Sequence, residues 1–299
     1  MPRTLKCWLK IAVAVFLIAF TAALAVRLAH ADDGAYPGRS PVAVAAEKGF
    51  FQVFNGGAPA DRSAPLRLLM AAYATDPNDS RTNLLLGLDH LWMAAEGGRT
   101  DPRVIEDLML ADRFLARAQT LDPLDQRIPS WRVPVRLSLA QIEREPGRQK
   151  EIVGELLAAY EKSPNFHSFT VALLGFGNPK ASPEFQRGLA VLDKVKGCGE
   201  DEAACQDLPR WPHNREGFIT FHADYELKAG HPDRAAELLR KAQAEPGYAS
   251  WPFRGEVEDR LKNLDRYAGL YADADPGNDP PMLMASGKGT VCQTCHRAQ

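Results

Sequence analysis

Apolar residues recur at three- and four-residue spacing through most of residues 41–272, and Val, Ile and Thr nowhere alternate over a strand length. This pattern predicts an all-α fold. Helices are expected in pairs near 41–55 and 62–75, 80–96 and 102–121, 130–145 and 148–162, 166–177 and 183–196, and 215–229 and 232–245. A last helix is expected over 251–271. Ser80, Asp101, Ser182, Asn214 and Ser250 stand where N-caps belong. Pro102, Pro183 and Pro232 suit a first helical turn, where a backbone N–H has no intrahelical partner to lose.

The second helices of these pairs end alike. Leu69, Ala72 and Pro77 have the spacing of Leu115, Ala118 and Pro123, and of Leu156, Ala159 and Pro164. Leu239, Ala242 and Pro246 follow the same pattern with the proline one residue early. The prolines lie 46, 41 and 82 residues apart, and 82 is twice 41, so a degenerate copy is expected between the last two. The physical unit is a helical hairpin that cannot bury its apolar face alone and stacks on its neighbours. Alanine allows close helix approach, leucine fills the core, and proline stops the helix.

Ala111, Leu115, Ala118 and Pro123 carry small, bulky, small and proline residues in the order of a tetratricopeptide second helix. Ala235, Leu239 and Ala242 do the same, with Gly230 at the preceding turn, and Leu86-Gly87 is similar to the Leu-Gly of that family's first helix. Residues 60–270 therefore resemble the tetratricopeptide repeat family. The resemblance implies an antiparallel helix-hairpin solenoid with a concave surface for a partner segment. The expected organisation is residues 1–31 as an export segment, 32–40 as a flexible leader, 41–272 as the helical-repeat domain and 273–299 as a tail. The stretch from Asp273 to Gly287 is rich in Pro, Gly and Asp and reads as a linker.

The tail carries the chemistry. Cys292-Gln293-Thr294-Cys295-His296 is a Cys-x-x-Cys-His run, the spacing of a c-type haem attachment site. Two thiols three positions apart can each add to one haem vinyl group, and the next residue sets an imidazole under the iron as proximal ligand. With 5 Cys and 7 His in 299 residues, chance supplies roughly 0.002 such runs per chain. The competing readings are a thioredoxin-like redox pair, which normally opens a helix inside a fold, and a zinc site, which needs two further ligands at matching spacing.

Covalent haem of this type is attached outside the cytoplasm, and the front of the chain agrees. Arg3, Lys6 and Lys10 precede an uncharged run from Ile11 to Val26, and Ala29-His30-Ala31 forms a small-x-small cleavage site. The alternative is an uncleaved N-terminal anchor, although the 16-residue run extends only about 24 Å as a helix. Removing Arg3, Lys6, Lys10 and Arg27 from the 36 basic side chains leaves 32 against 38 acidic ones, a net charge of −6. Such a chain suits a basic redox partner and argues against nucleic acid and anionic membrane surfaces. Membrane contact is expected only if the N-terminal segment stays. Cys198 and Cys205 remain, in a short polar loop that can close a disulfide in an oxidising compartment; a dithiol switch is the alternative.

The tail is too short to build a haem pocket of its own. The haem is therefore expected to dock on the helical body, near Phe218, Phe221, Tyr225, Trp251, Phe253 and Val257, or on a partner. Each of these side chains would otherwise be ordinary solenoid core. Met284 and Met282 are the near candidates for distal iron ligand, and His222 is the rival from the body. His213 and His231, then His90 and His167, stand behind it, and a five-coordinate iron is the remaining possibility. No catalytic arrangement stands out elsewhere. The expected function is a periplasmic monohaem c-type cytochrome, an electron carrier rather than an enzyme, holding one haem c. The other reading is a periplasmic helical-repeat scaffold in which haem is secondary or sensory.

Overall fold

The computed structural model describes residues 38–56, 62–96, 101–125, 127–162, 164–195, 213–272, 278–280 and 282–283. Among the described residues there are twelve α-helices and no strand. They are α1 (Pro41–Gly56), α2 (Ser63–Thr75), α3 (Ser80–Glu96), α4 (Arg103–Leu121), α5 (Arg127–Ile142) and α6 (Pro146–Lys162). Then come α7 (Pro164–Phe176), α8 (Pro183–Val195), α9 (Asn214–Ala229), α10 (Pro232–Gln243), α11 (Arg254–Lys262) and α12 (Leu264–Ala272). Each helix packs on the next, most extensively within the hairpins α1–α2, α3–α4, α7–α8 and α9–α10. The result is an all-α helical solenoid.

The periodic residues make the core. Leu69 and Ala72, Leu115 and Ala118, and Leu239 and Ala242 are all buried, as is Leu156. The expected degenerate copy corresponds to the hairpin α7–α8, where Leu192 is buried. Gly87 lies so close to α4 that a Cβ placed on it would sit 2.6 Å from Leu115 Cγ. The bulky residue of a second helix thus fills the space left by the missing side chain of a first helix.

Two turns are built identically. In Asp76-Pro77-Asn78-Asp79 and Asp122-Pro123-Leu124-Asp125, the first aspartate N–H caps the preceding helix by donating to Ala72 or Ala118. The second aspartate accepts from the backbone N–H of Arg81 or Arg127 and so starts the next helix. The side chain that caps the start of α3 is therefore Asp79, not Ser80. Ser182 acts as expected, accepting from the Phe185 N–H. Asp79 also accepts from Arg39, which pairs in addition with Glu47. At residues 38–40, the part of the expected leader that is described, the chain is thereby held to α1 and α3.

The last helix divides. Asn263 stands between α11 and α12 and donates its N–H to Asp259 and Arg260. The break turns α12 back onto α9, where Tyr271 is buried.

Replacing Gly87 by alanine is expected to destabilise the fold by about 1–3 kcal/mol through overpacking against Leu115, read as a fall in the urea midpoint. His167 and His213 are buried, and burial pushes both imidazoles below their ordinary pKa. A lowered folded-state pKa means the unfolded chain binds protons first. Stability is therefore full above about pH 6.5 and is lost as pH falls toward the folded values. The urea midpoint should drop between about pH 7.5 and 5.5, and less steeply when both residues are glutamine.

Candidate functional site

Helix α9 is the member of the solenoid that contacts Asp279 and Leu283 of the tail. It contacts α8 and α10 and, through the break at Asn263, also α12. From Glu216 to Lys228 nearly every side chain is buried, including Glu216, His222, Asp224, Glu226 and Lys228. A helix buried all round is ordinarily apolar. Here Asp224, Glu226 and Lys228 are each met by a partner, as a buried charge must be.

Asp224 is 1% exposed and Arg260 of α11 is 2% exposed. Arg260 Nε donates to Asp224 Oδ1 at 2.6 Å, and Arg260 Nη2 lies 3.3 Å from Oδ2. Burial alone would lower the Arg260 pKa, but the Asp224 carboxylate outweighs it and holds the guanidinium above its ordinary value. The Tyr267 ring lies against the same guanidinium, 5.4 Å from ring centre to Cζ. The second oxygen of Asp224 also accepts the backbone N–H of Leu283 at 2.7 Å.

Leu283 belongs to the tail, and it is buried against the C-terminal part of the core. Two further bonds fix the segment before it. Tyr271 donates its hydroxyl to the Pro280 carbonyl at 2.8 Å, and burial pushes its phenol far above the ordinary value, so it remains a donor. Lys228 lies 3.4 Å from Asp279 Oδ2 and donates to the Phe176 carbonyl at 3.0 Å. Its ammonium also faces the Phe176, Phe185 and Tyr271 rings. Asp279, Pro280 and Leu283 are thus held to α9 and α12 by hydrogen bonds to backbone groups, an ion pair and an apolar contact. The eight residues 284–291 join Leu283 to Cys292. Even fully extended they place the thiol within about 30 Å of Leu283.

The expected attachment residues Cys292, Cys295 and His296 lie outside the described residues, as do Met284, Cys198, Cys205 and the N-terminal export segment. Met282 is partly buried and packs against the core beside Leu283. His222 faces Asp193 and Glu226, and His231 bonds Glu226. His213 lies beside Glu216 and Trp251, His90 bonds Asp107, and His167 contacts Ser130. Each candidate histidine is therefore turned to a neighbour within the body.

The aromatic wall is largely core. Phe221, Tyr225, Trp251, Phe253 and Val257 are buried, and Phe218 is partly buried. Tyr225 packs on Phe176, Phe185 and Phe221 and donates to the Ala172 carbonyl. Its hydroxyl fits only because Gly175 and Gly188 have no side chains there.

Asp224, Arg260, Lys228 and Asp279 were not legible as tail anchors. The available signal was the run from Phe218 to Lys228, which mixes apolar and charged residues with no clean face. No helix among the described residues is long and apolar enough to cross a membrane. No family model matches the chain, and no curated protein and no solved structure is significantly similar to it.

Replacing Asp224 by alanine takes from the buried Arg260 its nearest carboxylate, leaving only the longer contact to Glu256, and is expected to cost about 3 kcal/mol in urea unfolding. Converting the pair together, Asp224→Leu with Arg260→Met, should restore most of that stability. It should not restore the Leu283 anchor, so limited proteolysis should still release the tail faster than in the parent.

Proposed function

We propose that the chain is a periplasmic monohaem c-type cytochrome whose helical body carries the haem on a short, anchored tether. The observation that carries this reading is the Cys292-x-x-Cys295-His296 run, joined by eight residues to a segment pinned at Leu283. A bound haem would supply one-electron cycling of its iron between the ferric and ferrous states. The chain's own residues do the positioning. Cys292 and Cys295 would hold the macrocycle, and His296 would supply the proximal nitrogen. Asp224, Lys228 and Tyr271 keep the tether's origin on α9 and α12 and so limit where the haem can lie.

Among the distal candidates, Met284 is the residue we carry forward. It directly follows the pinned Leu283, whereas Met282 packs on the core and His222 is turned to Asp193 and Glu226. The stacked hairpins are read as tetratricopeptide-like on the Ala111, Leu115 and Ala118 pattern and the Gly87–Leu115 approach. The periplasm is proposed from residues 1–31, and a basic redox partner from the net charge of the mature chain.

Chain matured in a periplasm should give a c-type pyridine haemochrome at one haem per chain. Covalent haem missing under competent maturation would contradict the proposal. The ferric protein should show the weak far-red band of thioether ligation, lost in Met284→Ala and kept in Met282→Ala. A band that survives Met284→Ala, or is absent from the parent, removes Met284 as the ligand.

A further inference from the structure

A second cluster lies on the other side of α9. His222 and Glu226 are four residues apart and so share one helix face. Asp193, near the C-terminal end of α8, faces them. His222 Nε2 lies 3.4 Å from Glu226 Oε1 and 3.7 Å from Asp193 Oδ1, and the three donor atoms all fall within 4.8 Å of one another. A zinc ion with bonds of about 2.0–2.1 Å in tetrahedral geometry needs donors about 3.4 Å apart. Two of the three edges are close to that length.

His222 is 1% exposed, and its Nε2 points into the cluster without a hydrogen-bond partner. A buried ring nitrogen left unpaired beside two carboxylates is unfavourable unless something joins them. The outer oxygen of Glu226 is already held. The left-handed turn at Gly230 brings His231 back, and its Nδ1 lies 2.7 Å from Glu226 Oε2. This is the outer-shell support that a ligating carboxylate normally has.

We propose that Asp193, His222 and Glu226 form a binding site for a divalent zinc-class ion, bridging α8 to α9. The site is independent of the haem reading. It has a built-in competitor in Arg234, whose Nε lies 2.7 Å from Glu226 Oε1 and whose Nη2 contacts Asp193 Oδ1. Arg234 is part-exposed at 40%, so its guanidinium can swing into water when a doubly charged ion takes the carboxylates. Two carboxylates with an imidazole favour zinc over magnesium, which prefers an oxygen-only shell.

The test is calorimetric titration of the full, tag-free, haem-loaded chain with zinc sulfate after dialysis against a chelator. If the haem proves absent, the same titration runs on the chain with Cys292 and Cys295 changed to serine, so the two proposals fail separately. One zinc per chain is expected, with no competition from equimolar magnesium. Asp193→Asn, at a half-exposed position that should not disturb folding, and His222→Ala should each weaken binding at least tenfold, about the least that loss of a supporting partner costs. Arg234→Gln should tighten it roughly fivefold. No uptake at roughly millimolar zinc would overturn the site. So would binding that Asp193→Asn and His222→Ala both leave unchanged.

Discussion

A helix buried on every side that still carries acid, base and imidazole groups constrains everything near it. In α9 Asp224, Glu226 and Lys228 each take a partner from another element, so the neighbours of α9 are fixed in identity as well as in shape. Asp224 requires Arg260, which reaches it from α11. Lys228 requires the Phe176 carbonyl at the end of α7 and Asp279 from the tail. Glu226 requires His231 across the Gly230 turn and Arg234 from α10. A purely apolar α9 would pack as well and specify less. Leaving any one of these charges unpaired would cost more than the pair contributes, which is why the arrangement is an all-or-none specification.

The same helix links body to tail. A solenoid is quasi-one-dimensional and its repeats contact mainly their neighbours, so its end must be closed. Here α11, α12 and the described residues 278–280, 282 and 283 close it, and Leu283 adds both an apolar side chain and a backbone donor to that closure. Leu283 is thereby fixed on the body eight residues before Cys292. For the haem attachment proposed at Cys292 and Cys295, that anchor sets the point from which the reach is counted.

The repeated architecture was largely visible in the sequence, because helix periodicity and the Leu-x-x-Ala pattern are local signals. Most helix ends fell within a few residues of expectation, and Gly87, Leu115 and Gly230 stand where the pattern put them. The break at Asn263 was not visible, since residues 251–271 are apolar at helical spacing on both sides of it. The turns Asp76–Asp79 and Asp122–Asp125 repeat in sequence, yet their capping roles needed the backbone to be seen. The wall of aromatics was legible only as apolar, and the structure assigns most of it to core. The anchors Asp224, Arg260 and Lys228 were hidden for a physical reason. A charged side chain in a helix reads as solvated until the elements that enclose it are known.

The hydrogen bond from the Leu283 backbone N–H to the buried Asp224 carboxylate is, among the described residues, the last anchor before Cys292, and it is directly measurable. Native-state amide hydrogen exchange at Leu283 should be as slow as at the buried amides of α9, and should speed up when Asp224 is replaced. Exchange at Leu283 near the rate of an unstructured peptide would contradict it, because Leu283 would then not be anchored on the body.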